Sequence, residues 1–185
     1  YKLVFEGSMT DTQVWIDGQQ VGPVHQGGFT EFSFDVTPYI KPNKKQTLEV
    51  LVSKESANAS INSAERRADW WLFGGIYRPV YMEILPKEHI SYVGIDARAN
   101  GEIYAEVEAT SNDKVSLTID GKPVSYNEAK GCWIYPNPKT WDPEHPYLYT
   151  ATFTLGEKGH SISHEKGFHT IEVRPHDRIY LNGTK

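Results

Sequence analysis

The residue types best suited to chemistry stand together between Asp69 and Val80, in the run DWWLFGGIYRPV. This run contains a carboxylate, two tryptophans, a pair of glycines and an arginine, and no other part of the sequence combines so many special residue types. Tryptophan faces bind apolar C–H surfaces such as those of sugar rings, and a carboxylate accepts hydrogen bonds from neighbouring hydroxyl groups. The combination suits recognition of a carbohydrate.

The same run also fits a purely structural role. Gly74 and Gly75 would then form a plain turn, residues 76–81 a strand, and the two tryptophans the lid of a hydrophobic core. Composition alone favours this structural interpretation, so the carbohydrate hypothesis needs support from the rest of the chain.

The sequence lacks the common patterns of catalytic sites. It contains no GxSxG nucleophile motif, no glycine-rich phosphate loop and no cysteine and histidine pair that would form a thiol nucleophile. Glycosidic chemistry needs two carboxylates about 5 to 10 Å apart across a sugar, and Asp69 alone does not supply such a pair. The seven histidines have no clustered acidic or cysteine partners, so the sequence predicts neither a metal ion nor a cofactor.

Charge and hydropathy argue against two classes of partner. The formal net charge is −5 and the basic residues are spread along the chain, whereas binding of nucleic-acid phosphates needs concentrated lysine and arginine. No run of about 18 apolar residues predicts a membrane span. The chain has a single cysteine, Cys132, which excludes an internal disulfide.

The elements that would carry these residues are predicted to be strands. Alternation of apolar and polar residues predicts a strand over residues 46–53, Asp17-Gly18 predicts a type I′ hairpin turn, and Asp120-Gly121 predicts a turn. Residues 54–68 predict a long loop with at most one helical turn near residues 63–67. After Pro86, strands recur about every ten residues, which is typical of a β-sandwich. A final strand over residues 178–181 is expected to have no partner in this chain.

A set of motifs along the chain resembles glycoside hydrolase family 2, which includes β-galactosidases, β-glucuronidases and β-mannosidases. DWWLFGGIYRPV (69–80) resembles the signature of the family's N-terminal jelly-roll domain, and VWIDGQQVGPVHQGGFTEFSFDVTPYI (14–40) resembles the preceding hairpin and strand. WDPEHPYLY (141–149) and GFHTIEV (167–173) resemble the immunoglobulin-like domain that follows. YLNG (180–183) resembles the entry to the catalytic (β/α)₈ barrel.

The resemblance implies an all-β chain. It implies a jelly-roll β-sandwich of the galactose-binding-domain type over residues 1–86, truncated at its N-terminal part, then an immunoglobulin-like β-sandwich over residues 87–175 and the start of a missing barrel over residues 176–185. His169 and Thr184 stand where the family usually has arginine and lysine, which affects local pairing near the barrel.

The resemblance also implies roles for the residues of the 69–80 run. The family's two catalytic glutamates lie on the barrel, so this chain would hold no catalytic residue and would be a non-catalytic portion of a retaining exo-glycosidase, most nearly a β-galactosidase. Asp69 matches the aspartate that contacts hydroxyls of the terminal sugar, and Trp70 is assigned to substrate binding with it. Gly74 and Gly75 would support the turn, and Arg78 would anchor it by a bidentate pair with a carboxylate.

The implied partners are the terminal sugar of a β-glycoside, bound in the context of the full enzyme, and the protein's own barrel. Two other interpretations stay open. The chain could be a free-standing carbohydrate-binding module in which Asp69 belongs to a complete site, or a structural sandwich protein in which Asp69 only caps a turn.

Overall fold

A computed structural model describes residues 1–67 and 72–185 of the chain. The chain divides into two units, Tyr1–Leu85 and Pro86–Lys185. In the described residues of both units the regular structure consists of antiparallel strands, with one short helix in the first unit. The prediction of an all-β chain is confirmed.

The first unit contains three small antiparallel sheets with the strand orders β5-β1-β8, β4-β3-β6 and β2-β7. Its elements are β1 (Lys2–Phe5), β2 (Ser8–Met9), β3 (Asp11–Ile16), β4 (Gln19–Gln20), β5 (Phe32–Asp35), β6 (Leu48–Ser53), α1 (Ala59–Arg66), β7 (Gly75–Ile76) and β8 (Val80–Glu83).

The core of the first unit follows from alternation along its strands. In β3, Val14 and Ile16 are buried while Gln13 and Trp15 are only partly covered, because successive side chains of a strand point to opposite faces. Val14 and Ile16 pack with apolar side chains of β1, β5 and the loops: Leu3, Phe5, Val21, Phe34 and Val36. The predicted turn at Asp17-Gly18 joins β3 to β4, and both residues have the positive φ that a type I′ turn requires.

The second unit is dominated by one seven-stranded antiparallel sheet of order β15-β14-β11-β12-β13-β10-β9. Its strands are β9 (Ile90–Ala97), β10 (Glu102–Ala109), β11 (Val115–Ile119), β12 (Lys122–Asn127), β13 (Cys132–Ile134), β14 (Tyr149–Leu155), β15 (Ser161–Lys166), β16 (Ile171–Val173) and β17 (Ile179–Leu181). The predicted turn at Asp120-Gly121 joins β11 to β12.

Strand β14 shows how the sequence builds the second core. Tyr149, Ala151, Phe153 and Leu155 are buried, and the threonines between them face outward. Phe153 packs edge-on against Trp133, with ring centroids 5.7 Å apart. The period of two along this strand therefore separates the core from the solvent face.

The last strand has a partner, contrary to the prediction. β17 pairs with β16 in an antiparallel hairpin, with Ile171 opposite Leu181 and Val173 opposite Ile179. The chain breaks after β15 at Gly167, where a β-carbon would lie 2.6 Å from Trp141 Cβ, and β16 begins after this break.

The predicted loop over residues 54–68 contains more helix than expected. Helix α1 covers eight residues, Ala59–Arg66, rather than one turn near residues 63–67. None of its residues is buried, so no apolar stripe could reveal it in the sequence. No helix in residues 1–67 and 72–185 has the length and apolar character needed to cross a membrane.

Candidate functional site

Asp69 and Trp70, the residues predicted to bind substrate, lie outside the described residues. Residues 68–71 separate the two described ranges, so the structure shows the chain that leads into this segment and the chain that leaves it. Helix α1 ends at Arg66 on one side, and Leu72 follows on the other. The candidate site is therefore built from these two flanks and from the loop of residues 25–30, which both flanks contact.

Polar contacts hold helix α1, which carries the chain toward residues 68–71. Asn58 caps its N-terminus, accepting a hydrogen bond on its side-chain oxygen from the N–H two residues on, at 3.0 Å. The Asn62 side chain accepts from the Ser56 N–H at 2.9 Å and donates to the Ser56 carbonyl at 2.6 Å. Arg66 Nη1 donates to the Lys54 carbonyl at 2.6 Å. Because no residue of α1 is buried, these hydrogen bonds largely decide where the helix lies.

Asp11 joins the start of α1 to the 25–30 loop. The residue is 8% exposed, and its Oδ2 accepts hydrogen bonds from the Ala57 N–H at 2.8 Å and the Gln26 amide at 3.0 Å. Burial acts to raise the pKa of Asp11, but hydrogen bonding by Ser56, Ala57 and Gln26 outweighs it, so the pKa lies below its ordinary value. Asp11 is thus a buried anionic anchor for two loops.

Glu65, in the last turn of α1, binds the same loop. Both of its carboxylate oxygens accept from the Gly28 N–H, at 2.9 and 3.0 Å. The carbonyl of Gly28 accepts a hydrogen bond from the Tyr77 hydroxyl. Glu65 lies three residues before residue 68, and Tyr77 lies six residues after residue 71. The chain on either side of residues 68–71 is therefore attached to one glycine.

Arg78 fixes the chain that leaves the segment. Its Nη1 donates to the carbonyls of Glu6 at 3.3 Å and Phe29 at 3.2 Å, and its guanidinium lies 5.3 Å from the centre of the Tyr77 ring. Tyr77 in turn stacks on Phe73, with centroids 4.5 Å apart and planes 8° from parallel. Within the part of the chain that the structure describes, the partners of Arg78 are carbonyl oxygens rather than the carboxylate that we expected.

Gly74 and Gly75 lead into a short pairing that aligns this outgoing chain. Met9 of β2 pairs with Gly75 of β7, and Gly75 has a φ of 74°, in the left-handed region that favours glycine. The N–H groups of Tyr77 and Arg78 both approach the Gly7 carbonyl, at 3.4 and 3.3 Å. Gly75 therefore turns the chain onto β2, and the support role of Gly74 and Gly75 at the site stays a prediction.

His25 supports the base of the 25–30 loop. Its ring stacks on Phe32 with centroids 3.6 Å apart, and its Nε2 lies 3.0 Å from the Gly27 carbonyl. Burial lowers the pKa of His25 below its ordinary value, so the ring is neutral at pH 7. A neutral ring with Nε2 protonated donates to the Gly27 carbonyl.

The chemistry available at these two flanks is positioning. The carboxylates of Asp11 and Glu65 both accept hydrogen bonds from N–H groups of the fold, so neither faces a cleft as a free acid or base. Within residues 1–67 and 72–185, no three His, Cys, Asp or Glu side chains are grouped to hold a metal ion. The sequence did not single out Asp11, Gly28 or Glu65. Glu65 contacts a residue 37 positions away, and Asp11 contacts one 46 positions away. Patterns among neighbouring residues in the sequence do not reveal contacts over such separations.

The second unit has a separate open cleft of about 700 Å³. Its polar lining includes Asp142 and His145, and Asp142 Oδ1 accepts from the His145 N–H at 2.7 Å. That hydrogen bond lowers the pKa of Asp142. The same carboxylate oxygen lies 3.1 Å from His145 Nδ1, so the Asp142 and His145 side chains are engaged with each other in a local turn.

Comparison with known families assigns both halves of the chain. Residues 1–86 match the family described as "Glycosyl hydrolases family 2, sugar binding domain", and residues 88–169 match "Glycosyl hydrolases family 2". These two matches are adjacent and cover most of the sequence.

Individual relatives agree with the family matches. A Formosa agariphila protein provisionally named β-glucuronidase is 33% identical across 100% of this chain, and a β-galactosidase of Thermoanaerobacter pseudethanolicus is 30% identical across 97%. The chain spans only 25% and 27% of these two proteins. Among solved structures, a Faecalibacterium prausnitzii β-glucuronidase superposes with a TM-score of 0.73 at 28% identity, over 98% of this chain and 36% of that protein. A Ruminococcus gnavus β-glucuronidase superposes with a TM-score of 0.79 at 19% identity, over 99% of this chain and 35% of that protein, which supports the fold alone.

Proposed function

Because the chain belongs to glycoside hydrolase family 2, we propose that it forms the non-catalytic N-terminal portion of an enzyme that hydrolyses terminal β-glycosides. In this proposal residues 68–71 help to shape the active site, and the Asp69 carboxylate accepts hydrogen bonds from hydroxyls of the terminal sugar. Trp70 is assigned to the apolar side of the same sugar contact. The parent enzyme would act on galactosides or glucuronides.

The attachment of both flanks of residues 68–71 to the Gly28 peptide carries this proposal. A sugar-binding carboxylate contributes to rate by orienting the substrate, and orientation requires a fixed base. Glu65 supplies that base on the incoming side and Tyr77 on the outgoing side. A loop that merely connected two strands would not need such contacts at both ends.

The proposal places proton transfer outside this chain. The Asp11 and Glu65 carboxylates, which hold the chain leading into the segment, accept from N–H donors, so Asp69 would act by orientation and by stronger hydrogen bonding in the transition state. The general acid and the nucleophile would come from the catalytic barrel of the full enzyme.

The β16–β17 hairpin has an exposed apolar face, which supports the proposal that this chain contacts another part of the full enzyme. Ile171, Val173 and Ile179 lie on one face and are 61%, 69% and 65% exposed. On the opposite face, the Arg174 guanidinium lies 3.8 Å from the centre of the Tyr180 ring. We assign the apolar face to contact with the barrel, because apolar side chains this exposed mark interaction surfaces when they are contiguous.

Replacing Asp69 by alanine in the full-length enzyme tests the proposal. Hydrogen bonds to a charged group contribute about 1.5 to 3 kcal/mol, so kcat/KM should fall about 10- to 100-fold on the aryl β-galactoside or β-glucuronide that the enzyme prefers. Asp113→Ala, which removes an exposed aspartate of the second unit, is the matched control and should leave kcat/KM unchanged. An Asp69→Ala enzyme with unchanged kcat/KM and unchanged thermal unfolding would leave the aspartate without a substrate role.

A further inference from the structure

We propose that Glu65 and Tyr77 are positioning residues, which hold the two flanks of residues 68–71, and with them Asp69, by binding the Gly28 peptide. This inference rests on the proposed function, since it concerns how the chain around Asp69 is held. Glu65 accepts from the Gly28 N–H with both carboxylate oxygens, and Tyr77 donates to the Gly28 carbonyl. Eleven residues, 66–76, separate these two side chains in sequence, yet they meet at a single residue.

The Gly28 residue is itself rigidly supported. Next to it in the 25–30 loop, His25 exchanges two backbone hydrogen bonds with Thr12 of β3, at 2.9 and 3.0 Å. Gln26 is held by the buried Asp11 carboxylate. Beneath Gly28 lies Met9, which is fully buried, and a β-carbon on Gly28 would come within 2.9 Å of Met9 Cγ. The loop therefore offers a fixed reference point on the core of the first unit.

Glu65 matters because α1 contributes no fully buried side chain to the core. No residue of α1 is buried, so its C-terminal end is located by the Glu65 contact and by Arg66 on the Lys54 carbonyl. A charge-assisted hydrogen bond is about twice as strong as one between neutral groups. Removing the Glu65 carboxylate should free the end of the helix that leads directly into residues 68–71, while the hydrophobic core keeps all its contacts.

Tyr77 performs the same task on the outgoing side by a separable contact. Its ring stacks on Phe73 and lies beside Arg78, and these ring contacts do not depend on the hydroxyl. Tyr77→Phe therefore removes the hydrogen bond to Gly28 and keeps the packing. If Tyr77 had only a structural role through its ring, kcat/KM of the Tyr77→Phe variant would be unchanged.

The experiment uses the full-length enzyme with Glu65→Ala, Glu65→Gln and Tyr77→Phe. We expect Glu65→Ala and Tyr77→Phe each to lower kcat/KM about tenfold or more, because small displacements of an orienting group are costly, with little change in thermal unfolding. Glu65→Gln retains one acceptor oxygen and should restore part of the activity. The control is Glu128→Ala, which removes an exposed glutamate of the second unit and should leave kcat/KM unchanged.

Double variants with Asp69→Ala separate positioning from other effects. If Glu65 acts only through the segment that holds Asp69, Glu65→Ala should cause almost no further loss in the Asp69→Ala background. The same loss in both backgrounds would overturn the inference, as would wild-type activity of both Glu65→Ala and Tyr77→Phe. Wild-type activity of both Glu65→Ala and Tyr77→Phe beside an impaired Asp69→Ala enzyme refutes this inference and leaves the proposed function standing. Unchanged activity of Asp69→Ala refutes the proposed function itself. If Glu65→Ala does not fold, Tyr77→Phe decides by the same criteria.

Discussion

Replacing Gly28 by alanine should damage both the stability of the first unit and its support of the substrate segment. The added β-carbon would lie 2.9 Å from Met9 Cγ and 3.2 Å from Glu65 Oε2, whereas carbon atoms prefer separations of about 3.5 to 4.0 Å. Met9 is fully buried, so it cannot move into solvent. Overpacking of this kind costs about 1 to 3 kcal/mol.

A smaller opposing effect sets the net value. Alanine has less conformational freedom than glycine in the unfolded chain, which favours the folded state by about 0.4 to 1 kcal/mol. Gly28→Ala should therefore destabilise the first unit by about 1 to 2 kcal/mol. The shift of Glu65 away from the new methyl group should also lower kcat/KM by about tenfold, since Glu65 leads into residues 68–71.

Two nearby glycines provide the matched controls. A β-carbon on Gly74 would have Lys54 Cδ as its nearest described neighbour, at the ordinary distance of 3.9 Å, so Gly74→Ala should change the free energy of unfolding by less than about 0.5 kcal/mol. A β-carbon on Gly75 would meet no described atom within 4 Å, but its φ of 74° strains any side chain. Gly75→Ala should cost about 1 kcal/mol by that route.

Hydrogen–deuterium exchange of the peptides covering residues 1–16, in the full-length enzyme, measures the local free energy of opening for all three variants. Kinetics on the preferred aryl β-glycoside give kcat/KM alongside. Gly28→Ala and Gly74→Ala should differ both in the exchange protection of these peptides and in kcat/KM. The same protection and the same kcat/KM in the two variants would refute the tight contact of Gly28 with Met9 and Glu65.

Two further predictions concern stability. The Asp17 carboxylate accepts hydrogen bonds from the Thr47 N–H, Gln46 and Lys41, which lower its pKa from 3.8 to about 2. Because the pKa is depressed in the folded state, the stabilising effect of Asp17 is complete above about pH 4. This stabilisation is lost as the pH falls through about 2. Asp17→Asn suits the same turn. In this variant the free energy of unfolding, measured with urea, should therefore fall less steeply as the pH is lowered below about 4. An unchanged pH dependence would contradict the assignment. In the second unit, Phe153→Ala removes a fully buried ring packed against Trp133 and should cost about 3 to 5 kcal/mol in chemical denaturation; a loss below about 1 kcal/mol would be inconsistent with that packing.

Local patterns were sufficient for several strands and for both Asp-Gly turns. The two Asp-Gly dipeptides form turns as predicted because positive φ is required there and these residues tolerate it. The strand predicted over residues 46–53 is present as Leu48–Ser53. β14 alternates between core and solvent as strictly as its sequence does.

Features that depend on distant contacts could not be read in this way. Helix α1 has no buried face, so its position follows from polar contacts such as that of Glu65 with Gly28, 37 residues away in sequence. The pairing of β17 with β16 follows a break after β15, where Gly167 packs closely against Trp141, 26 positions earlier in the chain. Asp69 is prominent in the sequence because of the motif around it. Glu65 and Tyr77, which hold its flanks, stand in no motif that would indicate their contacts with Gly28.

The central claim is that the Asp69 carboxylate contacts hydroxyls of the terminal sugar. The most direct test measures kcat/KM of the wild-type and Asp69→Ala enzymes on an aryl β-glycoside and on its analogues that each lack one hydroxyl. A real contact predicts that the effect of Asp69→Ala, about 10- to 100-fold on the parent substrate, shrinks to less than about threefold on at least one deoxy analogue, because the partner hydroxyl is already gone. An undiminished effect on every deoxy analogue would contradict the claim.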